Sequence, residues 1–175
     1  TEKMDGENTS IYPSDLHARS LDGRSHVSRD RVKAWASGFQ HDIPEGWRIG
    51  GENVTARHSI AYENLPHFFL GFALWNERNI CLSWDETTEW FELLGICPVP
   101  VLYDGPWDEK LIKGLYDEEK DREAHEGYVV RVAHEFPMSD FPLAVGKYVR
   151  QNHVQTDDQH WASAPFQPNG IRPEC

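Results

Sequence analysis

Lys3-Met4-Asp5-Gly6 sets a lysine, a carboxylate and a glycine within four residues of one another. A lysine amine can attack the α-phosphate of a nucleotide and form a phosphoramidate once its proton is removed, and a glycine lets the backbone approach the nucleotide closely. Four residues alone do not separate this chemistry from a solvated surface lysine. Further along come Glu52 behind Gly51, Phe72 closing Phe69-Leu70-Gly71-Phe72, Glu126 directly before Gly127-Tyr128-Val129-Val130-Arg131, and Lys147 inside Gly146-Lys147-Tyr148-Val149-Arg150. A carboxylate placed like Glu126, ahead of a glycine and an apolar strand, is costly unless a cation is near. A mid-strand phenylalanine such as Phe72 is ordinarily core, and its ring can equally serve as a stacking surface.

These residues need elements to hold them. Thr9 to Tyr12, the turn Pro13-Ser14-Asp15 and the return from Leu16 to Ser20 predict a hairpin. Val32, Trp35, Ala36 and Phe39 recur at helical spacing behind Ser28, which predicts a helix of about three turns closing at Ile43-Pro44-Glu45-Gly46. Strands are expected over Trp47 to Val54, Phe68 to Trp75 and Asn79 to Trp84, with Asn76 to Asn79 as a tight connection. Asp85 is the expected N-cap of a helix running through Trp90, Phe91 and Leu94 to Gly95. The prolines keep Cys97 to Leu102 extended. Trp107 to Tyr116 reads as helix, Asp117 to Asp121 as a solvated connector, Gly127 to Val132 as a strong strand, and the tail from Ala164 as irregular.

The whole chain has 175 residues, 39% of them hydrophobic and 26% charged, which suits one globular domain. No apolar run is long enough for a bilayer and no hydrophobic signal segment opens the chain, so a cytoplasmic protein with no membrane partner is expected. Cys81, Cys97 and Cys175 are widely spaced and form no CxxC pair, which points to idle thiols. His153 and His160 are not at helical ligand spacing. The net charge of −12 argues against non-specific coating of nucleic acid, although Arg19, Arg24, Arg29, Arg31 and Lys33 form a local basic run.

In their order, these segments resemble motifs I, III, IIIa, IV and V of the covalent nucleotidyltransferases, the superfamily of DNA ligases, RNA ligases and mRNA capping enzymes. Within it the likeness is to the small, second type of ATP-dependent RNA ligase found in phage and bacteria. Glu2-Lys3-Met4-Asp5-Gly6-Glu7-Asn8 matches the EKxxGxN form of the nucleophile motif, and Arg19 stands where those enzymes carry an arginine. Lys147 to Trp161 is similar to a group of bacterial RNA ligase-like proteins.

The resemblance implies an α+β, ATP-grasp-like nucleotidyltransferase domain over residues 1–163, in which two antiparallel sheets form a nucleotide cleft with helices outside. Residues 164–175 would be a tail, and the usual segment ahead of the nucleophile would be missing, since the chain begins two residues before Lys3. Lys3 would take AMP from ATP. Glu2, Asn8 and Arg19 would lie in the nucleotide site, with Asn8 and Arg19 on ribose or phosphate. Phe72 would stack on adenine, Glu52 would read the ribose or a metal's water shell, and Lys147 would hold the α-phosphate. Asp5, Glu52 and Glu126 would surround Mg²⁺ or Mn²⁺, because adenylyl transfer develops charge that a cation neutralises. The usual first lysine of motif V is Val145 here, so Arg150 or Arg131 would supply that charge. The partners implied are RNA ends with a 5′-phosphate and a 3′-hydroxyl, and a further protein that helps to engage RNA. A DNA ligase or capping-type enzyme, or an inactive nucleotide- or RNA-binding module, are the alternatives.

Overall fold

A computed structural model describes residues 1–18, 27–151 and 166–172. Arg19, Arg24, Ser20, His153, His160 and Trp161 lie outside the described residues. Six strands form the larger sheet: β1 (Glu7–Ile11), β2 (Leu16–Ala18), β3 (Arg48–Asn53), β4 (Phe69–Trp75), β5 (Ile80–Cys81) and β7 (Phe136–Pro137), in the order β2-β1-β3-β4-β5-β7. Every pairing is antiparallel. The expected hairpin and the two long strands are present.

One face of this sheet, here the back, is packed by helices. Ile11, Ile49, Phe69 and Leu74 meet Val32, Ala36 and Phe39 from α1 (Val27–Ala36) and its C-terminal turn, and Phe91 from α2 (Trp84–Leu94). Val32 and Ala36 are four apart and so share one helix face. The N-cap of α2 is Ser83, not Asp85 as expected: Ser83 and Glu86 form a reciprocal capping box, and that pair satisfies two orphan amides where Asp85 alone would serve one. The helix thereby takes Trp84, and β5 is only two residues long. Gly95 closes α2 at φ 67°, a left-handed conformation that glycine adopts without penalty. Gly71 admits the ring of Phe91, because a Cβ there would stand 2.5 Å from it.

The back face also buries an ion pair. Glu7 points to the side of α1, where Arg29 Nε donates to its Oε2 at 2.9 Å and Arg29 Nη2 to its Oε1 at 2.5 Å.

A smaller antiparallel sheet pairs β6 (Gly127–Arg131) with β8 (Val145–Val149). Residues 1–3 run along its other edge, with Glu2 bridged to Tyr128 and the Lys3 amide donating to Gly127 O at 3.0 Å. The extended segment after α2 joins the two sheets: Gly71 N–H donates to Cys97 O, and Glu2 N–H donates to Pro100 O. One side of the small sheet rests on α3 (Glu109–Lys113) through Ile112, Tyr116 and Tyr128. The helix is shorter than expected, since Asp108 caps it and Gly114 ends it. A short helix α4 (Phe141–Ala144) leads into β8. The α+β expectation of antiparallel sheets flanked by helices is met at that level.

The tail departs from expectation in one respect. Residues 166–172 hold no helix or strand, yet Asn169 is 7% exposed, and the segment bridges Ala56 to Pro168 and Leu65 to Ile171. It is packed chain. Among the described residues no helix is long and apolar enough to cross a membrane.

Candidate functional site

On the front of the larger sheet, opposite the helices, antiparallel register puts Asn8, Glu52 and Leu70 in one row. The next row should be regular and is not. Gly51 pairs with Gly71 and Gly50 with Ala73, so Phe72 is an extra residue with no partner, a β-bulge. Leu70 before the bulge and Ala73 after it therefore both face front, and the Phe72 ring is turned over Gly50, where an added Cβ would meet it at 3.0 Å. Phe72 is half-buried, contributing to two apolar clusters and fully enclosed by neither.

The small sheet sorts its residues the same way. Tyr128 and Tyr148 are cross-strand partners whose rings stack at 5.2 Å on the α3 side. Val129 and Lys147, one position along and also partners, must face the other way. Glu2 shares the side of Tyr128, so Lys3 shares the side of Lys147. Strands lie about 4.8 Å apart and residues rise about 3.4 Å, which sets the backbone of Lys147 about 10 Å across the sheet from that of Lys3 and about 7 Å along it. Lys147 is exposed. Glu2 is thus not brought to Lys3 and Lys147; its Oε1 lies 2.8 Å from Nδ1 of His125.

Lys3 Nζ donates to Glu126 Oε2 at 2.5 Å, and Glu126 is only 3% exposed. This is the cation that the position of Glu126 demands. Glu52 lies close enough to feel both charges. Burial pushes its carboxyl up to about 8, the charges of Glu126 and Asp5 add to the rise, and Lys3 and a hydrogen bond from the Gly6 backbone oppose it. Glu52 thus feels two further carboxylates, Glu126 and Asp5, against one lysine.

Asp5 is tied differently from its neighbours. Its Oδ2 accepts from Ser59 N–H at 2.8 Å, from the Ser59 hydroxyl at 2.7 Å and from Ile60 N–H at 2.7 Å. Its amide donates to the Tyr62 hydroxyl at 2.9 Å. That oxygen holds the loop after β3. Ser59, Ile60 and Tyr62 went unread because they lie over fifty residues from Asp5, and no local pattern marks an amide that will serve a distant carboxylate. Among the described residues no group of three or more His, Cys, Asp or Glu is arranged to hold a metal ion directly.

The two arginines expected to stand in for Val145 go to different places. Arg131 spans the sheets, with Nη1 donating to Phe72 O at 3.3 Å and Nη2 to Leu82 O at 2.9 Å. Arg150 donates to Arg122 O and, at 3.2 Å, to the Ser59 hydroxyl beside Asp5.

Comparison with curated proteins and with solved structures finds no match. The profile of the RNA ligase family matches residues 1–149. That span contains Lys3, Asp5, Glu52, Phe72, Glu126 and Lys147, and by this match the chain belongs to the RNA ligase family.

Proposed function

We propose that the chain is an ATP-dependent RNA ligase of the second type, which carries AMP on Lys3. The observation that carries this reading is the Lys3–Glu126 pair at 2.5 Å, set beside Glu52. Lys3 is in the motif position for a nucleophile, and Glu126 both orients Nζ and is the nearest acceptor for its proton. Adenine lies against Phe72, whose ring the bulge turns to the front. Asn8 and Glu52, adjacent in one row, serve the ribose or phosphates.

In the first step Lys3 Nζ attacks the α-phosphorus of ATP; the new N–P bond forms as the bond to the β-phosphate oxygen breaks and pyrophosphate leaves. AMP then passes to a 5′-phosphate RNA end. A 3′-hydroxyl attacks that end, forming the phosphodiester and releasing AMP. Lys147, on the same side of the small sheet as Lys3, holds the α-phosphate as a compact point charge.

The carboxylate surplus around Lys3 suits a hydrated Mg²⁺ or Mn²⁺ better than a directly ligated ion, and Glu52 and Glu126 are the residues that would hold it through water. When bound, such an ion neutralises charge on the phosphates and the leaving pyrophosphate. Asp5 adds to the field while its Oδ2 stays on the loop.

Incubation with ATP and Mg²⁺ followed by intact-mass measurement tests the reading. The expected result is a covalent AMP adduct that collapses when a 5′-phosphate RNA end is added. A chain that binds ATP without forming the adduct is a binding module instead.

A further inference from the structure

Residues 166–172 lie beyond the span that matches the family, and they pack against the same loop that holds Asp5. The contact is built on one side chain. Asn169 Oδ1 accepts from Tyr62 N–H at 3.1 Å, and its Nδ2 donates to Val54 O at 2.9 Å and Ala56 O at 3.2 Å. Backbone bonds reinforce it, from Asn169 N–H to Thr55 O and from Gly170 N–H to Tyr62 O. The side chain is buried with both ends of its amide satisfied, so it fixes the start and the end of the Val54–Tyr62 stretch against each other. Inside that stretch, Ser59 and Ile60 hold the Asp5 carboxylate and Tyr62 holds the Asp5 amide. Asp5 is two residues from Lys3.

We propose that Asn169 is a positioning residue for the nucleophile: it locks the loop whose Ser59, Ile60 and Tyr62 groups clamp Asp5, and so sets where Lys3 Nζ stands. The inference rests on the adenylylation reading for its kinetic consequence and on geometry alone for the clamp. Apolar packing does not explain the choice of residue, since a carboxamide is needed to serve two carbonyls and one amide at once. Residues 166–172 then belong to the site's support.

The test uses the full chain with Asn169→Ala and Asn169→Asp, the second keeping the acceptor for Tyr62 and losing both donors. Both variants should form the AMP adduct at least about tenfold more slowly at saturating ATP with the KM for ATP unchanged, since small displacements of reacting groups are costly. Amide exchange at Ser59 and Ile60 should quicken by a similar factor while the β3–β4 amides keep their protection. Parental adduct rates in the folded variants, or unchanged exchange at Ser59 and Ile60, overturn the proposal. Should both variants fail to fold, Tyr62→Phe removes only the acceptor for the Asp5 amide; faster exchange at Asp5 with slower adduct formation supports the clamp, and neither change overturns it. The exchange arm needs no ATP, so it decides the clamp even where the parental chain forms no adduct, an outcome that overturns the adenylylation reading alone.

Discussion

The two sheets are stabilised unequally. The larger one buries its back under α1 and α2, with Phe69, Phe91, Ile11 and Ile49 each at most 1% exposed. The smaller one has two full strands, and Gly146, Lys147 and Tyr148 on β8 are exposed. Phe72 and Glu52 stand on the packed sheet, Lys147 on the lightly packed one, and Lys3 is hydrogen-bonded at the edge of the lighter sheet on the segment that leads into β1 of the packed one. On the proposed function the difference would be a division of labour, in which the rigid sheet holds the base and the lighter one follows the phosphates. Each of the following variants breaks one half and spares the other.

The largest effect should come where the halves meet. Lys3→Ala should abolish the AMP adduct, and Lys3→Arg should abolish it too, because a guanidinium stays protonated; an adduct at another lysine, seen by peptide mapping, would refute the assignment. Next comes the rigid half. Phe91→Ala should cost about 3–5 kcal/mol of stability in denaturant melts by opening a cavity against Gly71, whereas Tyr148→Ala, on the exposed strand, should cost far less. Equal losses would end the comparison. On the light half, Lys147→Ala should slow adduct formation at saturating ATP by about 10²–10³ while leaving the melting temperature in place. Adenylylation at the parental rate would remove Lys147 from the phosphate grip.

The smallest effect is a slope with pH. The Glu52 carboxyl is held up at about 8 against an ordinary 4.5, so between these values the folded chain keeps a proton that the unfolded chain has lost. Its contribution to stability is therefore full below about 4.5 and is lost as pH rises towards 8. Glu52→Gln should flatten that fall in denaturation midpoints measured at about pH 5 and about pH 8.5. An undiminished slope would assign it to another group.

Most of the large sheet was legible because its strands are long and their turns are written in Pro, Asn and Asp. The order of motifs drew attention to Lys3, Glu52, Phe72, Glu126 and Lys147. What stayed hidden depends on partners far along the chain. Arg29 reads as part of a basic run and is the buried partner of Glu7, and the Ser59 and Ile60 amides that bind Asp5 Oδ2 carry no mark of that task. Asn169 looks like one polar residue in a proline-rich tail. β7 and α4 are two and four residues long, too short to carry a period.

The bulge in β4 has a consequence for how that strand could change over time. Because Gly51 pairs with Gly71 and Gly50 with Ala73, excising residue 72 would leave both flanks in their present register and every other side chain of β4 on its present face. Loss of a paired residue further along the strand could absorb the bulge only by turning the residues between it and position 72 to the opposite face. Phe72 is thus the one position at which β4 can be shortened with every remaining residue keeping its partner, and a chain lacking it should keep its sheet while losing the ring above Gly50.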